Sequence, residues 1–224
     1  MQAPYFSNTM DITYLGHSSF RIRGKTATVI TDPYDATAVG LKFPRHIEAD
    51  IITVSHDHGD HNAVKQVEGN PFIIHGPGEY EIKGIGVVGL SVYHDEQKGE
   101  LRGRNTMYRI EVDGVSIVHL GDLGHMLSSD EVNELDGVNV LMIPVGGVHT
   151  INATVAVHLI NEIEPSVVIP MHYGRPELNQ KLFSELAPLS VFLKEIGKES
   201  VIPQPKLLLT KDKLPAEMQI VVFA

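Results

Sequence analysis

Short runs of β-branched and aliphatic residues, each closed by a polar residue and a turn, recur along this chain and restrict its fold more than any other feature. Thr28 to Thr31 leads into Asp32-Pro33, and Ile51 to Val54 into Ser55-His56-Asp57-His58. Val87 to Tyr93 ends at His94-Asp95, and Val115 to Val118 at His119-Leu120-Gly121-Asp122. Val140 to Val145 runs into Gly146-Gly147-Val148-His149, and Val167 to Pro170 into Met171-His172-Tyr173-Gly174. Apolar runs of this length, bounded by turn residues, predict strands buried on both faces. Such sheets need helices on both sides, so a layered α/β fold follows, with the polar residues gathered at one edge.

The intervening segments fit that plan. His61 to Val67 and Pro176 to Leu186 are short helix candidates. Ser128 to Leu135 opens with Ser-Ser-Asp-Glu, a helix N-cap signal. Ala153 to Glu164 carries Val155, Leu159, Ile160 and Ile163 near helical spacing, and Pro165 stops it. Asp11 to Leu15, Ser19 to Arg23 and Ala27 to Thr31 read as a strand meander with a tight turn at Gly24-Lys25. Towards the end, Ser200 to Thr210 and Met218 to Phe223 read as strands interrupted by prolines. They are expected to complete a sheet or to meet a second subunit, so a homo-oligomer stays open. No repeat, low-complexity tract or linker divides the chain, and residues 1–224 are read as a single domain.

The strongest local signal is His56-Asp57-His58-Gly59-Asp60-His61. In extended backbone, side chains at i and i+2 point the same way, so His56 and His58 can reach one ion. The chain turns at Gly59 and redirects Asp60 and His61 towards a second. With 12 histidines and no cysteine, a metal site here must be built from imidazole and carboxylate. That donor set suits two divalent ions, zinc first, with manganese or iron as alternatives. Two ions need further ligands from other strand ends. The reading places His56, His58 and His94 on one metal and Asp60, His61 and His172 on the other, with Asp122 touching both. Asp95 and His75 compete for the role of His94.

Around these residues the sequence resembles the metallo-β-lactamase superfamily. The carrying features are His56-x-His58-x-Asp60-His61, Asp32 after an early strand, His94, Gly121-Asp122 and His172, spread over residues 11–174. The resemblance implies a four-layer αββα sandwich with the metals at one edge of two sheets. Tyr14-Leu15-Gly16-His17-Ser18, Gly76-Pro77-Gly78-Glu79-Tyr80 and Pro170-Met171-His172-Tyr173 are similar to small bacterial and archaeal metal-dependent hydrolases related to L-ascorbate-6-phosphate lactonase. The absence of cysteine departs from many β-lactamases, and histidine at 58 departs from the flavodiiron oxidoreductases, which carry glutamate there. Hydrolysis is therefore expected.

The expected enzyme uses a metal-bridging hydroxide on a small, anionic or neutral substrate, a lactone or other ester by preference. Asp60 and His149 are the candidate catalytic residues, the latter donating a proton or holding substrate. Asp32 is expected to accept a hydrogen bond from a ligand histidine, and His17 to face the site. Arg104 and Asn105, at the end of a basic stretch with Lys98 and Arg102, are candidate substrate contacts. Two alternatives remain: a phosphodiesterase acting on small nucleotides, and a catalytically idle metal-dependent binding protein. The net charge of −10 argues against general nucleic-acid binding. No apolar stretch approaches the roughly 18 residues of a membrane span. With no secretory pattern over Met1 to Met10 and no cysteine, the expected location is the cytoplasm.

Overall fold

The computed structural model describes residues 9–224, so most of the segment read for a secretory signal lies outside the described residues. The chain begins with β1 (Met10–Gly16), β2 (Ser19–Arg23) and β3 (Thr28–Thr31), an antiparallel meander. Parallel strands β4 (Ile51–Val54) and β5 (Phe72–His75) extend it. The second sheet starts with antiparallel β6 (Gly78–Ile82), β7 (Ile85–Tyr93), β8 (Arg104–Val112) and β9 (Val115–His119). It continues with parallel β10 (Val140–Pro144) and β11 (Val167–Met171). The tail closes both sheets: β12 (Leu207–Leu209) pairs with β1, and β13 (Gln219–Ile220) pairs with β11. The proline-broken tail thus completes sheet edges within its own chain, in strands much shorter than its sequence suggests.

Alternation along the strands builds the layers. In β10, Val140 and Met142 enter the layer between the sheets, whereas Leu141 and Ile143 face outward with Leu159 and Ile160 of α3 (Ala153–Ile163). In β4, Ile51 points between the sheets and Ile52 packs outward with Val39 of α1 (Ala36–Val39) and Phe183 of α4 (Gln180–Phe183). Burying each such aliphatic side chain contributes about 1.5–3 kcal/mol. Helices α2 (Ser129–Asn133) and α5 (Leu189–Glu195) lie on the side of α3, with Leu135 just past α2 and Phe192 of α5 in the same cluster. The order is helices, sheet, sheet, helices, which is the αββα sandwich. Among the described residues no helix is long and apolar enough to cross a membrane.

Local readings divide according to local chemistry. Ser128 caps α2 in a full capping box with Glu131, and Asn152 caps α3, which ends at Glu164 in the left-handed region. Three expectations need correction. β7 is not buried on both faces: its burial alternates, because it belongs to the antiparallel half of its sheet, beside edge strand β6. The 61–67 helix is only a 3-10 turn over Val64–Gln66, since His61 and Asn62 donate back to the His58 carbonyl in a tight turn. The 176–186 helix shrinks to α4, because Asn179 caps it late, accepting from the Lys181 amide.

Candidate metal centre

Each prospective ligand sits just beyond a strand end, and the two sheets contribute to one edge. His56, His58, Asp60 and His61 follow β4 of the first sheet. His94, Asp122 and His172 follow β7, β9 and β11 of the second. Backbone bonds tie the two sides together: the Thr106 amide donates to the Ser55 carbonyl (2.8 Å), and the His172 amide to the His17 carbonyl (3.1 Å). His17, Asp32 and His172 all hold positive φ, at 55°, 39° and 51°. Such dihedrals cost free energy in non-glycine residues and gather at functional sites.

The side chains form three overlapping groups whose ligand atoms lie within 4.8 Å of one another. One joins His56, His58 and His94. A second joins Asp60, His61 and His172 with His17. The third joins His56 and His61 with Asp122 and so links the other two. Asp122 Oδ2 lies 3.2 Å from His172 Nε2, 3.5 Å from His94 Nε2 and 3.9 Å from His56 Nε2, while its Oδ1 lies 3.3 Å from His61 Nε2. The residues read from the motif and from the later strand ends therefore converge. His75, the competitor of His94, is exposed on β5. The other competitor, Asp95, spends its carboxylate on backbone amides of its own loop.

Asp32 fixes the ring tautomers. It is fully buried, and its Oδ2 accepts from His61 Nδ1 (2.7 Å) and from Ser55 Oγ (2.6 Å). Having given its proton to Asp32, Ser55 Oγ accepts from His56 Nδ1 (3.0 Å). By accepting, one carboxylate thus keeps a proton on Nδ1 of two imidazoles, directly and through a hydroxyl, and turns both Nε2 atoms towards the cluster. Those Nε2 atoms, with Asp122 Oδ1, are buried and have no hydrogen-bond partner. Buried polar atoms left without partners are costly, and here they are donor atoms of the type and number that divalent ions take.

The charges agree with that fit. Burial first, then the charge of His61, pushes His56 down to about 3, and burial pushes His94 down to about 4, so both rings are neutral and able to bind metal. His61 moves the other way. Burial opposes its charge, but Asp122, Asp60 and Asp32 outweigh burial and raise its pKa well above the ordinary value. This cluster of carboxylates requires a cation at that position, a proton in the metal-free protein or an ion that displaces it. Asp60 is held well below the usual carboxylate range: burial opposes this, but His61 and the hydrogen bond from His17 prevail.

The turn carrying Asp122 leaves no room for variation. Asn105 Oδ1 accepts from the Asp122 amide (3.0 Å), and its Nδ2 donates to the Leu120 carbonyl (2.8 Å). Asn105 is fully buried, and both ends of its amide are bonded to the turn, so it supports Asp122. The neighbouring reading also changes: Arg104 bonds Ser91 Oγ and lies over the Tyr93 ring, away from the ligands. Strand alternation sends residues 104 and 105 to opposite faces, so they could never have shared one role. His17 Nε2 meets Asp60 Oδ2 at 3.1 Å, and its ring lies 4.3 Å from that of His172. His119, buried below, bonds the Ser18 carbonyl.

A cavity of about 340 Å³ opens over the cluster, and His149, Arg102 and Lys181 line it with the ligand groups. His149 reaches it from a loop strained at Val148, where a β-branched residue has φ 61°. Of the basic stretch Lys98, Arg102 and Arg104, expected to bind an anionic substrate if its loop reaches the metal edge, Arg102 lines this cavity; Lys181 carries no motif and has no counterpart in the sequence reading.

The β-lactamase superfamily domain model matches residues 11–172. A protein of Thermococcus onnurineus named a metal-dependent hydrolase is 29% identical over 215 residues, covering 80% of this chain and 95% of its own. A solved Thermotoga maritima structure, assigned as a Zn-dependent hydrolase of the metallo-β-lactamase superfamily, is 32% identical with a TM-score of 0.77 and covers 96% of this chain and 98% of its own. A metallo hydrolase of Ignicoccus hospitalis shares the fold at 20% identity, with a TM-score of 0.62, covering 90% of this chain and 97% of its own.

Proposed function

The chain belongs to the β-lactamase superfamily, and from that premise we propose that it is a hydrolase working with two divalent ions, zinc first, on a small ester or lactone. One observation supports this above the others. The Nε2 lone pairs of His56 and His61, fixed by a shared Asp32 anchor, face Asp122 from two sides with no partner of their own. In this reading His56, His58 and His94 hold one ion, Asp60, His61 and His172 hold the other, and Asp122 serves both.

Two ions so held would supply hydroxide at neutral pH and offset negative charge on the substrate's carbonyl oxygen. The chain's own residues do the rest. Asp60, ionised and anchored by His17, orients the nucleophile and receives its proton. His149 has a pKa lowered by burial first and by Arg102 next, so at neutral pH it is a neutral ring. With its one N–H turned to the Leu182 carbonyl, it borders the departing group without serving as a standing acid. The ester C–O bond breaks after hydroxide adds to the carbonyl carbon, and the alkoxide leaves with the proton taken at Asp60.

The test is elemental analysis of chelator-free protein, followed by lactone and ester panels beside a bis(aryl) phosphate and cyclic-nucleotide panel with the metal found. About two ions per chain and turnover of esters or lactones are expected. Turnover confined to phosphodiesters replaces the substrate class. One ion or none after soaking removes the two-ion reading.

A further inference from the structure

The cavity over the metal cluster has an unusual charge balance. Its only carboxylates among the described residues are Asp60 and Asp122, both prospective metal ligands. Its other charged groups, Arg102 and Lys181, are cations from the loop after β7 and from α4, and neither forms a salt bridge among the described residues. With two divalent ions bound, the carboxylates are more than offset. The cavity then becomes a strongly positive opening in a chain of net charge −10. A cleft of one sign within a surface of the other focuses field lines and concentrates ligands of opposite charge.

Arg102 is not a freely waving surface residue in its backbone. Asp95, itself buried, accepts four amides: Gln97 at 2.8 Å and Gly99 at 2.9 Å on Oδ1, Leu101 at 3.1 Å and Arg102 at 2.8 Å on Oδ2. The loop closes further where the His94 amide donates to the Gly103 carbonyl and the Gly103 amide to the Gly99 carbonyl. Arg102 is therefore anchored to the residue directly after His94, at a fixed offset from a metal ligand. Arg102 also lines an adjoining cavity of about 300 Å³ that shares His94 and His149 with the first and holds the acidic residues Asp95 and Glu96. Lys181 stands on a segment equally well fixed, with the Asn179 amide donating to the Val39 carbonyl (2.8 Å) and Asn179 Nδ2 to the Ala38 carbonyl (3.2 Å).

We propose that Arg102 and Lys181 form an oxyanion-binding subsite beside the metals, so that the substrate carries a compact carboxylate or phosphate a few bonds from its scissile group. Asp95 is the positioning residue of this subsite. Arginine supplies two parallel donors to one carboxylate or phosphate, which fixes orientation as well as charge. This rests on the hydrolase reading for the scissile group, but not for the anion.

Two measurements separate the inference from that reading. The first compares 4-nitrophenyl acetate with mono-4-nitrophenyl succinate on the metal-loaded full chain. Preference for the succinate half-ester is expected, and Arg102→Gln should lower that preference roughly tenfold or more, through KM rather than kcat. Arg102→Lys should retain part of it. Asp95→Asn should lower it as Arg102→Gln does, with faster hydrogen exchange at the amides of residues 97, 99, 101 and 102. The second measurement needs no turnover. Calorimetry of zinc-loaded protein should show succinate binding more tightly than acetate, with the advantage lost in Arg102→Gln. If neither ester is hydrolysed but the binding advantage holds, the ester reading falls and the subsite stands. Equal treatment of charged and neutral probes, or an advantage surviving in the Arg102→Gln, Lys181→Gln double variant, overturns the subsite.

Discussion

Replacing Asp32 with asparagine should loosen both metal ions although Asp32 ligates neither. In the native structure its Oδ1 accepts from the Ser55 amide (2.8 Å), and its Oδ2 accepts from Ser55 Oγ and His61 Nδ1. Asparagine has one acceptor oxygen for these three donors. With that oxygen at the Oδ2 position, its amino group confronts the Ser55 amide, donor against donor, in a fully buried place. A buried donor left unpaired costs about 1–3 kcal/mol. With the oxygen at the Oδ1 position, the amino group faces His61 Nδ1, which must then accept, and the His61 proton moves to Nε2, the atom meant for metal. The second outcome also strips Ser55 Oγ of its acceptor, and with it the hold on His56. Losing partners that orient metal ligands typically costs about 10–100-fold in affinity, roughly 1.4–2.8 kcal/mol. Chelator competition against wild type should show that loss for both ions, with a lowered Tm in the metal-free protein. If only the ion of His61 weakens, the relay through Ser55 is refuted. If both ions bind as in wild type, so is the anchoring role of Asp32.

Two further substitutions bear on the same centre. Asp122→Ala should abolish turnover and lower the affinity of both ions, since the carboxylate approaches His56, His94, His172 and His61 from one position; wild-type activity with full metal content would sink the shared-ligand assignment. Gly121→Ala places a methyl group 2.3 Å from Asn105 Oδ1 and 2.6 Å from Ser55 Cβ at φ 54°. It should destabilise the fold by about 1–3 kcal/mol in thermal melts and lower metal content, and an unchanged Tm would show that the turn is softer than the packing indicates.

The layers and the ligands were legible in the sequence for the same reason. A parallel strand covered on both faces leaves an uninterrupted aliphatic run, as in Ile51–Val54 or Val140–Pro144. The first polar residue after such a run is where the backbone leaves the sheet, so the ligand positions and the strand ends are one signal. β7 misled because half of its residues face outward, β6 went unread because Glu79 and Glu81 break any run, and β5 because its apolar stretch Phe72–Ile74 is only three residues long. The cap at Ser128 was readable because capping is local chemistry. Which cation of the 98–104 stretch reaches the cavity was not, since the placement of Arg102 depends on Asp95 gathering amides over seven residues, a fold of the loop that no spacing rule encodes. The supporting role of Asn105 was hidden for a related reason: proximity to a basic stretch suggested substrate, whereas its register in β8 buries it and bonds it to the Asp122 amide.

The metal edge is also the polar seam between the two sheets, and this ties folding to function. The core between the sheets is aliphatic over most of its extent, but towards this edge it is bridged by hydrogen bonds. Tyr108 of β8 donates to the Val54 carbonyl at 2.8 Å, His119 of β9 to the Ser18 carbonyl at 2.7 Å, and the His172 amide to the His17 carbonyl. Apolar packing between sheets is non-directional and tolerates small slips, whereas these bonds fix one sheet against the other. That registration is what lets candidate ligands from different sheets meet within 4.8 Å of one another. The dependence runs both ways. In each prospective set, ligands that follow β4 join ligands from the second sheet, so bound ions cross-link the sandwich and add their binding free energy to its stability. Positive φ at His17, Asp32 and His172 is then explained as the local cost of steering three side chains back over the seam.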